Sequence, residues 1–258
     1  MGNIISIANQ KGGVGKTTTA INLSASLAAA EKKCLLVDCD PQGNATTGLG
    51  VERAELKRGL YDLLTENSPC ENVVTETAFP GLHLIGATAD LVGVEVELYS
   101  MREKEYCLKK GLMKLKGMYD YIFLDCPPSL GFLSINALVA ADSVLIPLQC
   151  EYYALEGISQ MLQAINAVRR GLNPGLRLAG VLLTMYDKRN NLSMQVVEEV
   201  RHHFKGMVFK TVIPRNVRLG EAPSHGKPVI LYDISCKGSQ GYLALAREII
   251  TGVEAEDD

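Results

Sequence analysis

Short, mostly apolar runs recur along the chain, each closed by a polar or turn-forming residue, and longer stretches of helical composition separate them. The runs predict strands at Ile4–Ala8, Lys33–Val37, Leu82–Ile85, Tyr121–Leu124, Ser143–Pro147 and Leu178–Leu183. The stretches between them predict helices at Thr17–Ala30, Leu91–Tyr99, Glu105–Leu115, Leu133–Ala141, Leu155–Arg170, Leu192–Phe204 and Gln240–Ile250. Thr17–Ala30 is rich in Ala and Leu and free of Gly and Pro, which favours a helix. Leu192, Val196, Val200 and Phe204 recur every fourth residue and predict one buried stripe. Apolar strands alternating with helices mark an α/β fold, a mainly parallel twisted sheet with helices on both faces. Strand, helix and strand between Ile4 and Val37 form a βαβ unit, whose crossover is expected to be right-handed.

Composition narrows the class. At 258 residues and 47% hydrophobic content the chain can bury a large core, and it is read as one domain, 1–258, with the acidic tail 254–258 solvated and frayed. No internal repeat, low-complexity tract or long linker divides it. The formal net charge of -3 means that any nucleic-acid surface must be local. Seven cysteines without a CxxC pair, several inside apolar runs, read as reduced core residues of a cytosolic protein. No apolar run approaches the ~20 residues of a membrane span, and no basic-then-apolar signal opens the chain. Met1-Gly2-Asn3-Ile4-Ile5-Ser6 fits a myristoylation pattern, but Ile4–Ala8 is needed as a strand, so the match is read as chance. The expectation is a soluble, cytoplasmic protein.

In parallel sheets ligands bind beyond the carboxyl ends of strands, and three polar segments follow apolar runs here. The first is Asn9-Gln10-Lys11-Gly12-Gly13-Val14-Gly15-Lys16-Thr17-Thr18, which reads as a phosphate loop opening a helix. Its glycines let backbone N–H groups curl around a phosphate, Lys16 reaches the β- and γ-oxygens, and the Thr17 hydroxyl is placed to ligate Mg²⁺. The usual loop carries glycine where this chain has Gln10, and a second lysine, Lys11, stands at the mouth. A lysine there can reach a phosphate held by a second copy, so two chains facing two nucleotides are expected. The second segment, Asp38-Cys39-Asp40-Pro41-Gln42-Gly43-Asn44, offers Asp38 to the metal's water shell and Asp40 to orient the attacking water or take its proton. The third, Asp125-Cys126-Pro127-Pro128, offers Asp125 to Mg²⁺ through a water. All three acids are equally residues that turn loops or cap helices.

Together with Ser129-Leu130-Gly131, Gln149-Cys150-Glu151-Tyr152-Tyr153-Ala154-Leu155-Glu156-Gly157 and Ile213-Pro214-Arg215-Asn216-Val217-Arg218, these segments resemble the ParA/Soj chromosome-partition ATPases, P-loop proteins with a deviant Walker A motif, from about Gly2 to Ile250. The resemblance implies an ATP-switched dimer that binds double-stranded DNA without sequence preference on the nucleoid and is stimulated to hydrolyse ATP by a centromere-binding ParB-type partner. It implies Lys11, Lys16 and Asp40 as catalytic residues, and a nucleotide site of Lys11, Gly12, Gly13, Val14, Gly15, Lys16, Thr17 and Thr18, with Pro214 and Asn216 beside adenine. Mg²⁺ falls to Thr17, Asp38 and Asp125, and Gly12 to the dimer contact. Hydrolysis is expected to be slow without DNA and partner.

Between Asp187 and Lys227 stand eight Lys or Arg against four acids. The resemblance implies Arg189 and Arg218 as DNA contacts, with Lys188, Arg201 and Lys205 less favoured. Charge alone equally describes a solvated helix face. A MinD-like membrane-cycling ATPase is the alternative, but it needs a basic amphipathic carboxy-terminal helix and this chain ends acidic. An iron-protein relative would need a cysteine where Phe132 stands, and nothing demands the small-molecule pocket of a ligase of similar fold.

Overall fold

The computed structural model describes residues 2–66, 68–151 and 154–252. The tail at 254–258, expected to fray, and Tyr152 and Tyr153 lie outside the described residues. The strands are β1 (Asn3–Ile7), β2 (Cys34–Asp38), β3 (Thr75–Glu76), β4 (Leu82–Ile85), β5 (Tyr121–Asp125), β6 (Ser143–Gln149), β7 (Arg177–Tyr186) and β8 (Val208–Pro214). They form one sheet in the order β3-β4-β2-β5-β1-β6-β7-β8, every pair parallel except β3 with β4. Both β3 and β8 are edge strands absent from the sequence reading. In β8 only Phe209 and Ile213 are buried while Lys210 is exposed, so no continuous apolar run betrays it.

The helices are α1 (Lys16–Ala29), α2 (Asn44–Gly48), α3 (Leu60–Leu64), α4 (Val94–Glu97), α5 (Cys107–Leu112), α6 (Phe132–Ala140), α7 (Ala154–Gly171), α8 (Asn191–His203), α9 (Val217–Glu221), α10 (Val229–Tyr232) and α11 (Lys237–Thr251). Successive strand residues serve opposite faces, as the pleat requires. Leu35, Ile122, Leu124, Val144, Ile146, Val181 and Leu183 join α3, α5, α6, α7 and α8 in one core. Leu36, Phe123, Leu145 and Leu182 join α1 and α11 in another. Helices therefore cover both faces. The buried Tyr242 of α11 sits in the second core, and its hydroxyl meets that of Thr19 in α1 at 3.1 Å.

Three details depart from the sequence reading. Leu91–Tyr99 is not one helix: a 3-10 turn, Ala89–Gly93, gives way to the single turn α4, because Gly93 and the β-branched Val92, Val94 and Val96 disfavour a continuous helix. Glu105–Leu115 shortens to α5, ending beside Gly111. In α8 the predicted stripe is incomplete: Val196 and Val200 are buried but Leu192 is 39% exposed, and Ser193 packs inward with its hydroxyl donating to the Cys150 carbonyl at 3.2 Å. Six cysteines are buried, Cys236 is half-buried, and all seven are free thiols.

Chain order gives the crevice. From β1 the chain passes to β2 on one side, and from β5 it crosses to β6 on the other. Ile7 pairs with Asp125, and Asp38 pairs with Asp125, so β1, β2 and β5 end level. The three polar segments read from the sequence thus emerge together at the carboxyl edge, where α/β sheets bind ligands.

Candidate functional site

After β1, the loop is shaped by Gly13 (φ 73°) and Gly15 (φ 91°), both left-handed, with Gly15 immediately preceding α1. A Cβ at Gly13 would meet nothing within 4 Å and one at Gly15 only Thr184 Cγ2 at 3.9 Å, so glycine is needed for its backbone conformation and not for room. The Lys11 N–H donates to Asn9 Oδ1 (3.0 Å), Asn9 Nδ2 to the Pro147 carbonyl (2.8 Å), and Thr184 Oγ1 to the Val14 carbonyl (2.8 Å). These bonds fasten the loop to β6 and β7. Among the described residues, the backbone N–H groups from Gly12 to Thr18 have no backbone acceptor, which leaves them available to an anion. Lys16, buried, donates from Nζ to the Lys11 carbonyl at 3.0 Å and so lies across the cradle. Lys11 is exposed at the mouth, and its Nζ meets Glu151 Oε2 at 3.1 Å.

Three carboxylates face this loop. Asp38, fully buried, accepts from the Thr46 N–H (2.8 Å) and hydroxyl (2.6 Å) at one oxygen and from the Asp40 N–H (3.2 Å) at the other. Asp40 is 8% exposed, and its Oδ1 accepts from the Gln42 N–H at 2.9 Å. Asp125 is fully buried, and among the described residues nothing donates a hydrogen bond to either oxygen. Burial pushes its carboxyl well above the usual range, Asp38 adds to the rise, and the neighbouring Thr17 hydroxyl and Lys16 ammonium offset part of it. Burial likewise raises Asp38, against the bonds from Thr46. The Lys16 ammonium is lowered by burial, with Asp125 drawing it partly back. Three close carboxylates against one buried ammonium, with two oxygens orphaned beside the Thr17 hydroxyl, is an arrangement that fits a hydrated divalent cation.

Thr46 was not legible in the sequence, and it holds the second segment together. Its hydroxyl donates to Asp38 and accepts from the Ala87 N–H at 3.0 Å. Thr46→Val removes that relay: the buried Ala87 N–H loses its acceptor, and the Asp38 oxygen keeps only the Thr46 N–H. The expected cost is about 2 to 3 kcal/mol, a fall in melting temperature of roughly 4 to 10 °C, read by thermal denaturation. Arg53 also escaped the sequence reading: its guanidinium donates to the carbonyls of Pro41 (2.9 Å), Gln42 (3.0 Å), Ala87 (2.9 Å) and Thr88 (3.2 Å), which clamps the loop beyond Asp40.

Beside the phosphate loop opens a pocket of about 260 Å³. Gly15 and Thr18 form one wall, Thr184 and Met185 another, and Pro214, Arg215 and Asn216 a third. Pro214 and Asn216, which the resemblance placed beside adenine, therefore share a cavity with the loop.

The AAA domain family matches residues 2–178 of the chain. Over 250 residues the chain is 57% identical to the chromosome partitioning protein ParA of Myxococcus xanthus, covering 97% of this chain and 88% of that protein. The chain belongs to the ParA/Soj family of chromosome-partitioning ATPases. It is also 56% identical over 249 residues to the sporulation initiation inhibitor protein Soj of Bacillus subtilis, covering 96% and 98% of the two chains. Among solved structures, the cobyrinic acid a,c-diamide synthase of Mycobacterium smegmatis with bound ADP and magnesium superposes with a TM-score of 0.84 at 35% identity, over 97% of this chain and 94% of that one.

The ParA/Soj reading of the two DNA arginines meets a local complication. Arg189 is 84% exposed at its side chain, and its guanidinium donates to both oxygens of Asp187 at 3.1 and 3.0 Å. Arg218 donates to Glu221 Oε2 at 2.7 Å, lies 3.5 Å from Asp233 Oδ2 and sits over the Tyr232 ring. Each ParA/Soj candidate thus has an acid of its own chain already beside it. Among the described residues, no helix is long and apolar enough to cross a membrane.

Proposed function

We propose that this protein is an ATP-dependent dimerising switch that grips duplex DNA without sequence preference and hydrolyses ATP to partition a chromosome or plasmid with a ParB-type partner. The observation that carries the nucleotide half of the reading is the orphaned Asp125 carboxylate beside Lys16 and Thr17, at the edge where the glycine loop presents its free N–H groups. The cofactors are ATP and Mg²⁺, and the single-domain chain works on the nucleoid in the cytoplasm.

The loop N–H groups and Lys16 hold the phosphates, and Pro214 and Asn216 hold the base. Thr17, Asp38 and Asp125 would hold Mg²⁺, which would supply charge neutralisation of the phosphate oxygens. Asp40 orients the attacking water and accepts its proton. Lys11 turns from Glu151 to phosphates bound by the second copy, and Gly12 lets the two backbones approach, since a Cβ there meets nothing of its own chain closer than 4.0 Å. Pairing doubles the cations presented to one duplex, so nucleotide gates DNA through dimerisation. The named relatives favour this reading over a MinD-like membrane cycle.

Fluorescence anisotropy on unrelated labelled duplexes tests the switch. With ATP and Mg²⁺ the protein is expected to bind all of them with a steep salt dependence, log affinity falling with log salt at a slope of roughly 0.9 per phosphate neutralised. With ADP the binding is expected to weaken at least tenfold. Equal binding in both states defeats the proposal.

A further inference from the structure

Asp40 takes its direction from a turn. Its carbonyl accepts from the Gly43 N–H at 2.9 Å and its Oδ1 from the Gln42 N–H at 2.9 Å, so backbone and side chain are both closed into Asp40-Pro41-Gln42-Gly43. On the other side, the Asp40 N–H donates to Asp38 Oδ1 at 3.2 Å. A carboxylate held by its own turn points only as firmly as that turn is held. The carbonyls of Pro41 and Gln42 are the groups left over, and among the described residues neither accepts from a backbone N–H. Both go to Arg53.

Arg53 opens a 3-10 turn, Arg53–Glu55, and is half-buried. All three nitrogens of its guanidinium donate: Nη2 to the Pro41 and Thr88 carbonyls, Nη1 to that of Gln42 and Nε to that of Ala87. Among the described residues no carboxylate stands within ion-pair distance of it, so the fork serves carbonyls alone. A planar fork fixes the separation of the two segments it bridges, which a single ammonium cannot do. Ala87, fully buried just beyond β4, is the common reference for both acids of the second polar segment. Its N–H reaches Asp38 through the Thr46 hydroxyl, and its carbonyl reaches the Asp40 turn through Arg53.

We propose that Arg53 is the positioning residue for Asp40, fixing the Asp40–Gly43 turn to the exit of β4 and so setting the aim of the Asp40 carboxylate during ATP hydrolysis. The proposal rests on the reading of Asp40 given above. Arg53 acts through the turn and touches neither nucleotide nor water. Nucleotide binding does not pass through it, because Asn9 and Thr184 fasten the phosphate loop and Thr46 holds Asp38. Loss of the clamp therefore separates two quantities that a general loss of structure would lower together. Turnover falls, and the affinity for ATP stays.

The test is a cycle of Arg53→Ala, Asp40→Ala and the double variant in the full chain, with ATP turnover, ATP affinity, gel filtration with ATP and thermal melting measured on each. Since a displacement of ~1 Å at a reacting group can cost ~10² in rate, Arg53→Ala is expected to lower kcat roughly ten- to thirtyfold. KM for ATP should stay within about threefold and the ATP-dependent dimer should persist. The double variant should be no more than about twofold slower than Asp40→Ala, because a positioning residue has nothing left to position once its target is gone. Hydrogen exchange at the Gln42 and Gly43 amides should accelerate at least tenfold in Arg53→Ala, a readout independent of turnover. Where melting shows that Arg53→Ala does not fold, Arg53→Lys carries the test, with kcat roughly three- to tenfold down at unchanged KM. Parental kcat in the folded variant, beside a slow Asp40→Ala, overturns the role of Arg53 while the reading of Asp40 stands. Parental turnover in Asp40→Ala overturns both. A double variant slower by the product of the two single losses, or an Arg53 variant that loses ATP affinity with kcat, overturns action through Asp40.

Discussion

Asp40→Ala is expected to lower ATP turnover by a hundredfold or more while leaving the ATP-dependent dimer intact. The carboxylate has little else to do: one oxygen accepts from the Gln42 N–H at 2.9 Å, within its own loop, whereas Asp38 is bonded at both oxygens. Removing a positioned base typically costs ~10² to 10⁴ in rate. The loop itself should survive, because Arg53 clamps Pro41 and Gln42 independently of Asp40. Phosphate release measured beside gel filtration, with ATP and with ADP, separates the two effects. Asp40→Asn keeps an acceptor for Gln42 and should be equally slow. Parental turnover in either variant removes Asp40 from the chemistry, and a variant that elutes as a monomer with ATP shows that the loop, and not the base, was lost.

Lys11→Ala should produce the opposite phenotype, nucleotide bound but no ATP-dependent dimer. The physical ground is that Lys11 is exposed at the mouth of the cradle while Lys16 is buried across it, so the two lysines cannot serve the same phosphate in the same way. Gly12→Val should match it, a branched side chain standing where the second copy approaches in the proposed dimer. Glu151 gives a graded control. Its ion pair with Lys11 is about half exposed at both side chains, and such pairs are worth ~0 to 1 kcal/mol. Glu151→Gln is therefore expected to favour the dimer by no more than about fivefold, against complete loss in Lys11→Ala. Sedimentation velocity with a slowly hydrolysed ATP analogue resolves both. Dimerisation of Lys11→Ala at parental concentrations would leave the second lysine without its role.

What could be read from the sequence was what the backbone alone enforces. A glycine-rich loop after an apolar run, and Asp38 and Asp125 closing two others, name the carboxyl edge without any knowledge of packing, and the strand register then sets those ends level. Relations that depend on distant segments arriving together were invisible. Thr46 meets Asp38 across eight positions of chain, but its second partner, Ala87, comes from beyond β4. The α8 stripe erred at Leu192 for a similar reason. Periodicity locates a buried face but not where that face runs out, and here it runs out in the first turn, next to the Asn190 cap.

The Arg53 clamp also constrains how this chain can vary. A Cβ at Gly43 would lie 2.5 Å from Arg53 Nε, and Gly43 itself sits at φ 70°. Positions 43 and 53 are thus locked as a pair, and in any descendant that surrenders the arginine, position 43 becomes free to accept asparagine or aspartate, the side chains that best tolerate that backbone. Substitution at the two sites should travel together through lineages, a signature that alignment alone can check.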